Sequence, residues 1–303
     1  MKRLVFALVP AALILAMLLG GAPALAELPP LCRQGVQAKD PEETIRLFTR
    51  CIDAGLTDPR DLALAFAHRG LAYGAQNKHD LAMQDFDQAI ALDASKSAYF
   101  NNRGWVRLRQ GRCDLAIPDF DQAIALDPKE FHAYHNRGEC LYRLGRHDSA
   151  LGDLNQAIGL NPKQHRSFMY RGFIFEEFFN YQHAREDFAK AVELAPANPN
   201  ALNALAEFLA TCPDAAYQDG PRAVELARKA CSIEENARRL STLAEALARS
   251  GRYYEAKAIQ EKAMAKAKAE KLSQGFWDWL LYCQESINRG QPCNNRKYTS
   301  VRE

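Results

Sequence analysis

Small and hydrophobic residues along this chain recur with a period of 34 residues. Two copies have closely similar sequences, namely residues 102–128 and residues 136–162. Each of four copies has a glycine, an alanine twelve residues later and a large apolar residue four residues after that: Gly70, Gly104, Gly138 and Gly172; Ala82, Ala116, Ala150 and Ala184; Phe86, Phe120, Leu154 and Phe188. The pattern predicts two helices per copy, helix A over about 65–76 and helix B over about 80–92 in the first.

The residue types at these positions fit two helices that cross closely. Glycine and alanine at the crossing let the helix axes approach, and the large apolar residue fills the space that remains. Pro128, Pro162 and Pro196 close three of the copies, and helix B should end there because proline disfavours helix in the residue before it. One pair of helices cannot bury its apolar faces alone, so the copies are expected to stack.

This pattern resembles the tetratricopeptide repeat, a helix-turn-helix unit of 34 residues. The resemblance covers about residues 41–265. It implies an all-α fold, namely a right-handed superhelical solenoid of tetratricopeptide-type helical hairpins. It also implies a concave groove, lined by the A helices, that contacts a peptide.

Both ends of the array depart from the regular pattern. A fifth copy keeps Ala206 and Ala223 around a longer turn, and a sixth keeps Ala244 and Ala256. Atypical ends are expected of stacked repeats. We predict a signal peptide over 1–26, an N-terminal capping half-repeat over 27–62, four regular repeats over 63–198, two divergent repeats over 199–272, and a C-terminal capping helix with a tail over 273–303.

The first residues have the pattern of an export signal. Lys2 and Arg3 precede an apolar run, and Ala24-Leu25-Ala26 supplies the small residues that a signal peptidase reads. We predict cleavage after Ala26 and a periplasmic or secreted protein with no membrane span after cleavage. An uncleaved membrane anchor is the alternative, because residues 4–26 could nearly cross a bilayer.

Charge argues against a nucleic-acid partner. Without Lys2 and Arg3 the 39 basic residues become 37, which equals the 37 acidic ones, whereas nucleic-acid binding usually requires a basic excess. The Lys-rich run over 257–271 contains Glu261 and Glu270, a mixture typical of a solvated helix face. We therefore expect no nucleic-acid partner.

A second set of residues follows the same period. An arginine precedes each of the four glycines, and an aspartate lies sixteen residues after each arginine. An antiparallel hairpin brings together positions equidistant from its turn, so we predict four ion pairs: Arg69–Asp85, Arg103–Asp119, Arg137–Asp153 and Arg171–Asp187. The arginines could instead form a ligand-binding row, but a clamp that fixes the register of each hairpin is the preferred interpretation.

The same hairpin geometry ranks the eight cysteines, and an exported protein can form disulfides. The candidate bridges are Cys32–Cys51, Cys113–Cys140 and Cys283–Cys293. Cys212 and Cys231 are offset along their helices by about nine residues, roughly 14 Å at the helical rise. We expect these two to be core thiols, and the lack of any C-x-x-C motif argues against a cysteine metal site.

The sequence offers no catalytic residue. It contains no G-x-S-x-G, H-E-x-x-H or P-loop pattern, so no enzyme activity and no cofactor are predicted. His132 and His135 could hold a metal with His165 or Glu139. We prefer the interpretation that these polar residues line the groove, and no metal site is predicted.

The groove residues follow from the glycine register. The candidates are Asn101, Asn102, Trp105, Arg109, His132, His135, Asn136, Glu139, Arg143, Met169 and Phe173. Aromatic side chains mixed with Asn, His and Arg suit a peptide whose backbone is held by amides. Trp105 and Phe173 could equally pack between neighbouring A helices.

These observations predict a non-catalytic scaffold that binds a peptide or protein segment. Two other classes stay open, an accessory or assembly subunit of an envelope or secretion complex and a noncatalytic subunit of an envelope enzyme. The sequence does not identify the partner.

Overall fold

The structure is a computed structural model, and it describes residues 29–293. The predicted signal peptide over 1–26 and the last ten residues of the tail lie outside the described residues. Within residues 29–293 all the regular secondary structure is helical, so the predicted all-α fold is confirmed. None of the helices in this range combines the length and hydrophobicity that crossing a bilayer requires.

The chain forms two compact units, divided between Arg146 and His147. The first unit contains α1 (Pro30–Gln37), α2 (Pro41–Asp53), α3 (Pro59–Ala75), α4 (His79–Leu92), α5 (Ser97–Arg109), α6 (Cys113–Leu126) and α7 (Phe131–Arg143). Consecutive helices pack against each other, and α5 also packs beside α7. The A helices of this unit are α3, α5 and α7.

The second unit has the same layout. It contains α8 (His147–Leu160), α9 (His165–Glu177), α10 (Tyr181–Leu194), α11 (Pro199–Thr211), a 3₁₀ turn (Ala215–Tyr217), α12 (Gly220–Ile233), α13 (Ala237–Arg249), α14 (Tyr253–Glu270) and α15 (Gln274–Asn288). The hairpins are α9–α10, α11–α12 and α13–α14. The last helix, α15, packs on α14 and buries Phe276 and Leu280 against Ala263 and Ala267.

Local caps set several helix boundaries that the repeat pattern could not. The first A helix begins at Pro59 rather than near residue 65, because the Asp58 carboxylate accepts hydrogen bonds from the backbone N–H groups of Arg60 and Asp61. Proline is favoured at the first position of a helix, where its missing N–H costs nothing. Asn198 with Pro199 starts α11 in the same way.

The core of each hairpin lies at the crossing of its two helices. Phe86, Phe120 and Phe188 are fully buried there, as predicted for the large apolar position. A Cβ at Gly104 would lie 2.7 Å from the Phe120 ring, and a Cβ at Gly172 would lie 2.8 Å from the Phe188 ring. The glycines are therefore required because the aromatic ring occupies the space of a side chain.

The turn between helices A and B contains a residue in the left-handed backbone conformation, and between α5 and α6 this residue is Gly111. Gly111 has φ of 74°, and a Cβ there would meet no atom within 4 Å. Gly111→Ala should therefore lower the free energy of unfolding by about 1 kcal/mol through backbone conformation alone. Urea denaturation measures this.

Gly152→Ala is the matched control for Gly111→Ala. Gly152 also has open space around its Cβ position, but it lies inside α8. There alanine should stabilise the helix by about 0.5–1 kcal/mol. Stabilisation by both substitutions would contradict the assigned left-handed turn.

Candidate functional site

The candidate site of the first unit is formed by side chains on α5 and α7, and we call it the A-helix face of unit 1. Its predicted members are Asn101, Asn102, Trp105 and Arg109 on α5, and His132, His135, Asn136, Glu139 and Arg143 on α7. These two helices pack side by side, so the structure brings the nine residues together.

Five of these side chains are buried, each 5% exposed or less: Asn101, Asn102, His135, Asn136 and Glu139. The Asn136 amide donates to Asn101 Oδ1 at 3.0 Å, and the Asn101 amide donates to Asn102 Oδ1 at 3.3 Å. These hydrogen-bonded amides hold α7 against α5, and they lie beneath the accessible residues of the face.

The accessible part of the face is smaller than the sequence predicts. Trp105 is partly exposed, and its ring packs on Gly74 of α3, where a Cβ would lie 3.0 Å from it. The Arg109 guanidinium carbon lies 5.9 Å from the centre of the Trp105 ring, within cation–π range. Arg109 and Arg143 are exposed, and His132 is partly exposed.

Glu139 places a carboxylate beneath this accessible surface. Its side chain is buried, and Arg143 donates to Oε1 at 2.8 Å. His135 Nε2 lies 3.8 Å from the other carboxylate oxygen, Oε2. A buried carboxylate is costly without a cation, and Arg143 supplies one. Arg143 therefore both covers Glu139 and contributes to the exposed surface.

His68 on α3 shows what a buried histidine does in this unit. It is 1% exposed and stacks on Phe48, with 5.0 Å between the ring centres. Burial lowers the pKa of His68 to about 3, because the charged ring would lose its hydration. His68 is therefore neutral at pH 7 and packs between α3 and α2.

The predicted members in the second unit belong to its core. Met169 is 8% exposed on α9. The Phe173 ring meets Phe188 edge-on, with 5.1 Å between the ring centres, and Tyr170 at 6.1 Å. The packing interpretation of Phe173 thus has direct geometric support. That Met169 and Phe173 also contact a ligand stays a prediction.

The arginines of the repeat contact aspartates within their own hairpins. Arg69 Nε and Nη2 donate to the two oxygens of Asp85 at 2.9 and 2.8 Å. Arg103 contacts Asp119, and Arg171 contacts both oxygens of Asp187. Arg137 and Asp153 lie in different units, and their pairing stays a prediction.

The arginines also have a second set of acceptors that was not predicted from the sequence. Arg103 Nη1 donates to Asp87 at 2.7 Å, Arg137 Nη1 to Asp121 at 2.6 Å and Arg171 Nη1 to Asn155 at 2.7 Å. Each acceptor lies on the helix B that precedes the arginine. Their spacing of 34 residues could have revealed them. Each of these three arginines therefore links its A helix to the helix B before it, which is a structural role.

The cysteines lie close together in the pairs that the hairpins suggested. Cys32 and Cys51 are at disulfide distance and bonded, with Cα atoms 5.5 Å apart. Cys113 and Cys140 are buried thiols of one core cluster, and Cys283 and Cys293 are buried thiols of another. These last two pairs stay predicted bridges.

Cys212 and Cys231 remain thiols outside these pairs. Cys212 is buried and Cys231 is partly buried. Burial raises the pKa of each thiol to about 11, which keeps both protonated at neutral pH. Among residues 29–293 the structure shows no group of three His, Cys, Asp or Glu side chains that could hold a metal ion, His132 and His135 included.

Comparison with known proteins adds the family. Models described as tetratricopeptide repeat match residues 63–96, 101–165 and 236–270. Among curated protein sequences, none matches this chain.

Two solved structures share the fold. One is from a functional characterisation of Pseudomonas aeruginosa pilF, with 18% identity, a TM-score of 0.60, and coverage of 74% of this chain and 98% of that one. The other is a tetratricopeptide repeat protein of Parabacteroides merdae, with 16% identity, a TM-score of 0.59, and coverage of 91% and 98%. With the three repeat matches and the hairpins described above, this chain belongs to the tetratricopeptide repeat family.

Proposed function

We propose that this protein is a non-catalytic, exported scaffold that binds a peptide or protein segment on the A-helix face of unit 1. The observation that carries the proposal is the accessible group of Trp105, Arg109 and Arg143, held on a rigid layer of buried amides. The tetratricopeptide fold itself suggests protein–protein interaction rather than catalysis.

The residue types support a protein ligand. Tryptophan and arginine dominate the binding energy of many protein interfaces, because they bury a large area and form several contacts at once. Trp105 and Arg109 lie next to each other, so one ligand side chain could contact both. Arg143 and His132 add polar contacts on the neighbouring helix.

The buried side chains of the A-helix face of unit 1 support tight binding because they fix its conformation. Asn101 and Asn136 fix α5 against α7 before any ligand arrives. A preformed surface loses less conformational entropy on binding, so more of the contact energy appears as affinity.

Export is part of the proposal. The Cys32–Cys51 pair at disulfide distance supports it, since disulfides persist in oxidising compartments and are rare in the cytosol. The charge pattern around Lys2 and the Ala24-Leu25-Ala26 sequence support it independently.

The double variant Trp105→Ala/Arg109→Ala should reduce partner capture from an envelope extract by about 30-fold or more, the effect of losing one interface hot spot of ~2 kcal/mol. Quantitative mass spectrometry of the captured proteins measures this. Arg109 is exposed, but Trp105 packs on Gly74, so the variant should lose some stability. A urea denaturation curve checks that it is still folded under the capture conditions.

The matched control is Leu81→Ala/Lys78→Ala, which also removes one exposed apolar side chain and one cation, but at the start of α4. It should capture the partner as well as the wild type does. Equal capture by all three proteins would move the binding site away from the A-helix face of unit 1.

A further inference from the structure

Two buried thiols meet where α6 packs on α7. Cys113 is the first residue of α6 and is 3% exposed, and Cys140 in α7 is fully buried. The two side chains lie in contact with each other. Leu108, Ala116 and Phe120 pack in the same cluster, so the two sulfurs are held together by the core of the hairpin.

The two thiols differ in reactivity. In the folded unit the contact with Cys140 lowers the pKa of Cys113, and the positive charge of Arg143 acts in the same direction. The same contact together with burial raises the pKa of Cys140. Before α7 closes on α6, the place of Cys113 at the N-terminus of α6 already favours its thiolate. Cys113 is therefore the nucleophile of the pair, and Cys140 the thiol that follows.

We propose that Cys113 and Cys140 form a structural disulfide that pins α7 to the α5–α6 hairpin, and that a disulfide-bearing oxidant supplies the bond by thiol–disulfide exchange. The Cys113 thiolate attacks one sulfur of the oxidant and releases the other as a thiol. Cys140 then loses its proton and attacks the Cys113 sulfur of the mixed disulfide, which releases the second thiol. Two protein thiols and one oxidant disulfide thus become one protein disulfide and two oxidant thiols.

A shared metal ion suits Cys113 and Cys140 less well than a disulfide bond does. A structural zinc site needs four ligands, and no group of three His, Cys, Asp or Glu suited to a metal occurs in the part of the chain that the structure describes. Because both sulfurs are buried, we expect exchange during folding, before α7 closes on α6. The finished bridge should then resist reductants in the folded protein.

The bridge has a mechanical consequence for this unit. In the described structure α7 is the last helix of unit 1, and it is held by contacts with α5 and α6. A covalent link from Cys140 to Cys113 stops α7 from separating even when these contacts open transiently. It therefore fixes Arg143 relative to Arg109.

The test is peptide mapping of the full-length protein after refolding with oxidised glutathione. A peptide linked through Cys113 and Cys140 should appear, and the two residues should resist alkylation in denaturant. The oxidised protein should melt on the order of 5–15 °C above the same protein refolded with reductant, and Cys113→Ser should abolish that part of the difference.

Cys212→Ser is the control and should keep the linked peptide, because Cys212 belongs to no pair. Comparing wild type in its two redox states keeps the test informative even if Cys113→Ser folds poorly. Alkylation of both Cys113 and Cys140 after oxidative refolding would overturn the proposal. So would oxidised wild type that melts no higher than oxidised Cys113→Ser.

Discussion

Phe120→Ala should lower the free energy of unfolding by about 3–5 kcal/mol, the range for removing a buried phenylalanine. Phe120 is fully buried, and its ring lies where the Cβ of any residue other than glycine at position 104 would be. Because the backbone at Gly104 cannot move in without disturbing the hairpin, the substitution should leave a cavity. Urea denaturation followed by circular dichroism measures the loss.

Leu115→Ala is the control for this prediction. Leu115 lies on the same helix, α6, but is 46% exposed, so its removal should cost about 1 kcal/mol or less. A comparable loss for both variants, or a loss below about 1 kcal/mol for Phe120→Ala, would contradict a hairpin core centred on the aromatic ring.

Arg171→Ala should destabilise the second unit by about 3–5 kcal/mol at pH 7, because it leaves the buried Asp187 carboxylate without its cation. Burial raises the pKa of Asp187, and Arg171 acts in the opposite direction. Without Arg171 the pKa should rise further. Above the raised pKa of Asp187 the carboxyl is charged and the variant shows its full loss of unfolding free energy. As the pH falls through that pKa the carboxyl is protonated and the loss shrinks, so it should be smaller at pH 5 than at pH 7.

The comparison for Arg171→Ala is Arg222→Ala. Arg222 pairs with Glu225 on the surface of α12, with 48% and 66% of the two side chains exposed. Such pairs contribute about 0–1 kcal/mol. If Arg171→Ala left stability unchanged but abolished partner capture, the arginines would be ligand-binding residues rather than clamps.

The periodicity predicts most of the architecture because it sets local geometry. A glycine facing an aromatic residue across a turn places the two helices of a hairpin at a fixed register, so Arg69 meets Asp85. The loop that joins α6 to α7 brings Cys113 to Cys140 by the same equidistance. The start of α3 could not be predicted in the same way. It depends on Asp58 and Pro59, which precede the first regular copy.

Contacts between successive hairpins could have been predicted from the same rule. Asp87 and Arg103 lie eight residues on either side of residue 95, and Asn155 and Arg171 lie eight residues on either side of residue 163, in the loops that join a helix B to the next helix A. The burial of the candidate site could not be predicted in this way. Register assigns Asn101 and Asn136 to the A-helix face, but the approach of α7 to α5 decides that they are buried.

The most direct test of a binding surface on the A helices is site-specific photocrosslinking in intact cells. A photoreactive amino acid would replace Arg109 on α5 in one strain and Gln122, exposed on α6, in another. We expect a discrete crosslinked partner, identified by mass spectrometry, from position 109 and not from position 122. The same partner from position 122, with none from position 109, would contradict it.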